Sequence, residues 1–207
     1  AMVTGSGTTR VVVAGAPPPT RTIERTETEL GWEFVQLYGL TETSPLVTLN
    51  RRRTEWADLS DSERAGHLRR AGGPTIGTEL AVDDEGEVLV RSNVVMDGYW
   101  QQPDATATAL ADGWFHTGDG GEIDDDNYLT INDRKKDVII SGGENVSSIE
   151  VEDAIFQHPA VAEVAVIGTP DEKWGEAVTA LVVVADGADL IADEVTAWTK
   201  ERLAGYK

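Results

Sequence analysis

The stretch Tyr38-Gly39-Leu40-Thr41-Glu42 places an aromatic plane, a hydroxyl and a carboxylate within five residues. Those groups suit stacking a base, holding a phosphate and ligating Mg²⁺; the competing reading is a strand-end loop with Tyr38 packed inward. In Trp114-Phe115-His116-Thr117-Gly118-Asp119, Gly118 frees the backbone and Asp119 can accept two hydroxyl hydrogen bonds, as acidic residues do from a ribose diol. Trp114 and Phe115 read as core anchors. Gly15-Ala16-Pro17 follows a β-branched run, so its small residues either make a plain turn or let a flat ligand approach the backbone. Arg134-Lys135-Lys136 is a dense basic cluster, either a linker or a focus for an anionic ligand. Ser141-Gly142-Gly143-Glu144-Asn145 could pass a narrow substrate along bare backbone. His67, His116 and His158 are too scattered to suggest a triad or a zinc site.

The elements that must hold these residues are legible in outline. Val11 to Ala14 reads as a buried strand, Thr20 to Leu30 as a helix, and Phe34 to Leu37 as a second strand leading into Tyr38. Residues 50 to 72 read as an irregular, charged connection with a short helix. Leu80–Val82 and Val88–Val90 form a hairpin about the turn Asp83 to Gly86. Pro103 opens an Ala/Thr-rich helix in the position that a first helical residue takes. A further hairpin joins Glu122-Ile123 to Tyr128–Ile131. After the pentad Asp133 to Asp137 the order becomes strand Val138–Ile140, helix Ser147–Gln157, strands Val161–Ile167 and Ala177–Val184, and helix Asp193–Ala204. Ser147 and Glu150 have capping-box spacing, and Gly205 reads as the stop of the last helix. The expected fold is α/β (α+β): residues 1–133 end a large mixed-sheet domain with β-hairpins, and residues 134–207 form a small α+β domain, with both incomplete.

Composition narrows the function classes. The chain has 17 basic and 37 acidic residues, a net charge of −20, which disfavours a nucleic-acid or anionic-membrane surface. There is no cysteine, so disulfides, thiolate nucleophiles and Cys–zinc sites are excluded. No apolar run approaches the roughly 20 residues of a spanning helix, and the expected location is cytoplasmic. The runs Asp83-Asp84-Glu85 and Asp124-Asp125-Asp126 read as solvated turns, since they lack the ligand spacing of a calcium loop.

Taken in order, the motifs are more specific than any one of them. Val12 to Pro17, Tyr38 to Glu42, Gly86 to Arg91 with Gly98-Tyr99-Trp100, Trp114 to Asp119, and Asp133 to Asp137 leading into Ile140 to Asn145 and Ile149 to Glu152 resemble the AMP-forming acyl-CoA synthetases of the adenylate-forming superfamily. The stretch Asp133 to Glu152 and Pro170 to Glu176 most resemble medium-chain and fatty acyl-CoA ligases. The resemblance implies activation of a carboxylic acid by ATP to acyl-AMP, then thioester formation with CoA. It implies that Gly15, Ala16 and Pro17 border the adenine and Tyr38 packs on it. It places Thr41 on the α-phosphate, Glu42 on Mg²⁺, and Asp119 with Arg134 on the ribose. Lys136 takes the hinge position; Gly142, Gly143 and Trp174 lie along the pantetheine path.

The same resemblance points to two departures. The family's Ser/Thr/Gly-rich phosphate loop has only a compositional echo in Thr4 to Arg10, and the C-terminal adenylation lysine has no match, Lys207 included. The 207-residue chain is therefore read as a ligase fragment, inactive alone. A non-catalytic remnant that binds nucleotide or a protein partner is the alternative. Loading of a carrier protein, or luciferase-like chemistry, stays open for the acceptor. Strands such as Val11 to Ala14 are expected to expose unpaired edges that homodimerisation would cover.

Overall fold

The computed structural model describes residues 9–207, so the Thr4–Arg10 stretch lies outside the described residues through Thr8. The chain divides into two compact units, with the break between Ile131 and Asn132.

In the first unit, β1 (Arg10–Val13) pairs parallel to β2 (Glu33–Tyr38) through the crossover helix α1 (Thr20–Leu30). Helix α1 begins after Pro17-Pro18-Pro19 and ends at Gly31, whose φ of 65° is the left-handed cap that glycine adopts without strain. Antiparallel β3 (Thr48–Arg51) and β4 (Gly73–Pro74) complete the sheet in the order β1-β2-β3-β4. Strand β1 is therefore an edge among the described strands, with Val12 57% exposed. Helix α2 (Asp61–Arg69) fills the segment read as irregular, and its N-terminus carries a complete Ser60–Glu63 capping box. Ile23, Phe34, Trp56, Ala65, Leu68 and Tyr128 form the core beneath both helices.

Glu33 begins β2 between two arginines, at 2.5 Å from Arg10 Nε and 2.6 Å from Arg51 Nη2. Hydrogen bonds from Arg10, then Arg51, hold its carboxyl below the ordinary glutamate range. A lowered folded-state pKa contributes stability above the unfolded value and loses it as pH falls through the folded value. Glu33→Gln is expected to cost about 1 kcal/mol at pH 7, since solvent screens the two half-exposed arginines. The difference from the parent should shrink below about pH 4.3, the ordinary glutamate value. Urea midpoints at pH 7, 5 and 3 test this, and a constant difference would refute it.

The second sheet has the order β5-β6-β7-β8: β5 (Thr78–Val82), β6 (Glu87–Ser92), β7 (Phe115–Ile123) and β8 (Leu129–Arg134), of which β8 runs across the break between the units. Both acidic runs do turn work. Asp83 Oδ1 accepts the N–H groups of Glu85 and Glu87 at 2.9 and 2.8 Å. Asp124 Oδ1 accepts those of Asp126 and Tyr128 at 3.0 and 2.9 Å, with Asn127 at φ 59°. Helix α3 (Pro103–Ala109) begins on its proline. Val47, Ala71, Val88, Val90, Phe115 and Leu129 form the second core. Phe115 is thus an anchor, whereas Trp114 is half-buried under the Arg91 guanidinium, 4.1 Å from the ring centroid.

The second unit is an antiparallel sheet in the order β10-β9-β12-β11 with two helices: β9 (Ile139–Ser141), β10 (Glu144–Val146), α4 (Ser148–Phe156), β11 (Val161–Asp171), β12 (Gly175–Val184) and α5 (Ala192–Lys200). Its core is Ile139, Val146, Val151, Ile155, Val161 and Val166. The expected capping box at Ser147 is half-formed. Ser147 Oγ accepts the Glu150 N–H at 3.3 Å, but the Glu150 carboxylate turns to Lys207. Helix α5 stops at Lys200, short of the Gly205 stop read from sequence, and the chain goes on in turns, with the Arg202 and Leu203 N–H groups both donating to Thr199 O. Among the described residues no helix is long and apolar enough to cross a membrane.

Candidate functional site

Parallel pairing of β1 with β2, with Val13 opposite Gln36, brings the C-terminal ends of both strands to one edge of the sheet. Loops at that edge are where open α/β sheets take ligands. Gly15 and Ala16 leave β1 there, exposed, with Gly15 at φ 98°, a conformation that needs glycine; a Cβ at Gly15 would meet nothing within 4 Å. Pro17 is half-buried. The end of β2 delivers Tyr38.

After Tyr38 the chain makes a 3-10 turn, Thr41–Thr43, before returning as β3. The buried Thr43 hydroxyl fixes the turn, accepting the Leu40 N–H at 2.9 Å and lying 3.0 Å from Leu40 O. Thr41 is left exposed and Glu42 half-buried. The Glu42 carbonyl accepts the Met96 N–H at 2.7 Å, and Glu42 Oε1 accepts the Tyr99 hydroxyl at 3.0 Å.

Asp119 reaches the same loop from 81 residues away. Strand β7 is bulged: Glu87 pairs with Gly120 but Leu89 with His116, so two extra residues are accommodated opposite β6. Such a bulge re-aims side chains. Gly118, at φ 74°, makes the kink and donates its N–H to Glu87 Oε1 at 2.8 Å. The Thr117 hydroxyl braces it, donating to Val88 O at 2.7 Å and accepting the Asp119 N–H at 3.1 Å. Asp119, 7% exposed, accepts the Tyr38 hydroxyl on Oδ2 at 2.8 Å. Glu87 also faces His116 Nδ1 at 3.5 Å, and with Asp83 the three offer ligand atoms within 4.8 Å of one another. The backbone bonds to Asp83 and Glu87 show carboxylates that shape the hairpin turn and the bulge.

In the second unit Asp133 is buried and organises the turn that follows it. Its Oδ1 accepts the Arg134 N–H at 2.9 Å, while Oδ2 accepts the Ser148 N–H and hydroxyl at 2.9 and 2.7 Å. Arg134 ends β8 with its side chain exposed, and Lys136 is exposed in the turn closed by Asp137 N–H to Arg134 O at 2.8 Å. Gly142 and Gly143 turn β9 into β10 at φ 62° and 88°. Gly142 donates its N–H to Trp174 O at 2.8 Å, and a Cβ there would lie 2.8 Å from Trp174 Cε3. Trp174, 48% exposed, is set by Asp171 Oδ1, which accepts its N–H and that of Lys173 at 2.8 Å. The Lys173 ammonium sits 4.2 Å from the centroid of the Trp174 ring.

The structure therefore joins two pairs of the residues singled out in sequence, Tyr38 with Asp119 and Gly142 with Trp174. It adds Tyr99, Thr117, Glu87 and Lys173. Tyr99 stood within a motif without a role, and its spacing of 57 residues from Glu42 carries no local signal.

Comparison with known proteins gives a consistent picture. The AMP-binding enzyme model matches residues 3–100, and the AMP-binding enzyme C-terminal domain model matches residues 150–207. Feruloyl-CoA synthase of Amycolatopsis sp is 42% identical over 199 residues, covering 95% of this chain and 40% of that protein. A long-chain-fatty-acid–CoA ligase of Mycobacterium tuberculosis is 43% identical over 205 residues, covering 95% and 39%. Among solved structures, an amide bond synthetase from Marinactinospora thermotolerans matches with TM-score 0.84 at 36% identity, over 95% of this chain and 40% of that one. The o-succinylbenzoate CoA synthetase of Bacillus subtilis in complex with its acyl-adenylate intermediate matches with TM-score 0.79 at 34% identity, over the same shares. The chain thus spans about two fifths of the length of the relatives it matches.

Proposed function

The chain belongs to the AMP-binding enzyme family of acyl-CoA ligases, and we propose that it supplies the adenylate-holding edge and the thioester-forming small unit of a ligase that activates a carboxylic acid with ATP and transfers the acyl group to CoA. The observation that carries this reading is the Tyr38–Asp119 hydrogen bond, which draws two distant motifs to one sheet edge beside Gly15.

Each residue has a task there. Gly15, Ala16 and Pro17 give the adenine a wall of small, apolar groups, and Tyr38 offers its ring. Asp119 accepts the ribose hydroxyls, with Arg134 assisting. Thr41 donates its hydroxyl to the α-phosphate. Glu42 is a half-buried carboxylate fixed at both its carbonyl and its side chain, an oxygen donor that fits a hard cation. Bound there, Mg²⁺ would neutralise phosphate charge. Gly142 and Gly143 line the pantetheine path at the β9–β10 turn, Gly142 seating the Trp174 ring and Gly143 facing open space, and Lys136 serves as hinge. A fatty acid as substrate, a cytoplasmic location and a homodimer across the exposed β1 edge belong to the same proposal. The fatty acyl and feruloyl relatives support the carboxylate class.

Calorimetric titration of the chain with AMP and with a non-hydrolysable acyl-adenylate analogue tests the reading. Both should bind, the analogue more tightly, and failure of both to bind would overturn it. The 207-residue polypeptide by itself is expected to give no ATP–pyrophosphate exchange above background, because misplacing even one reacting group costs on the order of a hundredfold. Here the phosphate loop and adenylation lysine that the resemblance calls for have no counterpart. Robust exchange by this polypeptide would refute that expectation.

A further inference from the structure

We propose that Tyr99 is a positioning residue for Glu42, fixing the carboxylate in the orientation in which it would hold the divalent cation; this rests on the metal role proposed for Glu42. Two bonds from one short segment hold Glu42. The Met96 N–H takes its carbonyl at 2.7 Å, and the Tyr99 hydroxyl takes Oε1 at 3.0 Å. Held at both ends, the side chain loses much of the rotamer freedom that a glutamate otherwise keeps.

The clamp is itself anchored. The Tyr99 N–H donates to Thr106 Oγ1 at 2.9 Å, and that hydroxyl donates to Gln102 O at 2.8 Å within the start of α3. Gly98 allows the approach, since a Cβ there would lie 2.7 Å from Thr106 Cγ2. The position of Tyr99 is thus set by backbone and helix rather than by the loop it holds. The Tyr99 hydroxyl carries the proton of this bond, and Glu42 Oε1 accepts it at 3.0 Å. A neutral phenol can hold one carboxylate oxygen without cancelling its charge; an arginine or lysine in its place would compete with the cation. That difference is what suits a tyrosine to this position.

The test uses the chain labelled with ¹³Cζ-tyrosine, which reports Tyr38, Tyr99, Tyr128 and Tyr206 separately. Glu42→Gln removes the charge on the accepting group and should shift the Tyr99 ¹³Cζ resonance while those of Tyr128 and Tyr206 stay in place; an unmoved Tyr99 resonance overturns the clamp. Mn²⁺·ATP, as a paramagnetic stand-in for Mg²⁺·ATP, should broaden Tyr38 and Tyr99 before the other two. In Tyr99→Phe, half-broadening of Tyr38 should need about fivefold more Mn²⁺·ATP, in keeping with loss of one charge-assisted hydrogen bond. Metal-free AMP affinity should be unchanged, whereas a merely structural role for Tyr99 would weaken it too. Half-broadening at the parent concentration in Tyr99→Phe refutes positioning. If Glu42→Gln leaves the broadening untouched while the Tyr99 resonance moves, the metal role of Glu42 fails and the proposal falls with it, though the clamp stands.

Discussion

Replacing Asp119 with alanine lowers affinity for AMP by about a hundredfold, equivalent to roughly 2.7 kcal/mol. The size follows from what the carboxylate has to offer. Asp119 is 7% exposed, so its competition with water is small, and its backbone is locked by the Gly118 kink and the Thr117 hydroxyl. Two ribose hydroxyls donating to a buried carboxylate are each worth about 1.5 kcal/mol net. The Tyr38 hydroxyl occupies one direction on Oδ2, and a carboxylate has roughly four lone-pair directions, so the tyrosine and a diol can be served together. Asp119→Asn keeps the shape but halves the acceptor capacity and should lose about tenfold, because its amide replaces one charge-assisted bond. The nucleotide lacking both ribose hydroxyls is the decisive control. Its affinity should be weak for the parent and nearly indifferent to Asp119→Ala. An equal loss for AMP and for the dideoxy nucleotide would mean that Asp119 acts through the fold of the β7 bulge, and unchanged AMP affinity would remove the ribose assignment altogether.

Why such a residue stands out in the sequence, while its partners do not, is a matter of range. Helix α1 was legible to the residue because Pro19 and Gly31 punctuate the chain whatever surrounds it. The acidic turns were legible for a similar reason, as Asp83 Oδ1 and Asp124 Oδ1 each take backbone N–H groups within four residues. Strand β3 was not. It buries Thr48 and Asn50, polar residues whose hydroxyl and amide nitrogen donate to Ala71 O and to His67 O and Arg70 O, more than a dozen residues away. Nothing in Thr48-Leu49-Asn50-Arg51 announces a half-buried strand, because the alternation that marks one is carried there by polar side chains. The Ser60–Glu63 capping box, by contrast, is a local signal at three-residue spacing, obscured by the charged residues around it. Within the candidate site the same division holds. Gly118 and Asp119 lie in one hexapeptide, but the Tyr38 and Tyr99 hydroxyls find their carboxylates across 81 and 57 residues. Residue type can suggest a ligand; only the fold chooses which hydroxyl holds it in place.

Gly39→Ala is expected to destabilise the first unit by about 3 kcal/mol or more, the upper range for forcing atoms into a packed site. That corresponds to roughly a 10 °C fall in melting temperature for a chain of this size. The cause is not backbone freedom, since Gly39 does not lie at positive φ. A Cβ on Gly39 would sit 1.7 Å from Pro45 O, 2.7 Å from Pro45 C and 3.1 Å from Leu46 Cα. These are main-chain atoms that no rotamer change can withdraw. They lie in the loop that joins β2 to β3, pinned by Val47 N–H to Tyr38 O at 2.9 Å and by the pairing of Tyr38 with Thr48. Relief must come from moving the loop itself, and the loop carries Thr41 and Glu42. The glycine beside Tyr38 is then required for the chain to double back on itself, with the site geometry as a consequence. Gly31→Ala provides the contrast. Its Cβ would meet nothing within 4 Å, so only the φ of 65° is penalised, at about 1 kcal/mol. Thermal melts of the two variants should therefore differ severalfold in their effect. Should Gly39→Ala melt with the parent yet bind AMP poorly, the glycine would be serving the ligand directly, and the close packing against Pro45 would not be what requires it.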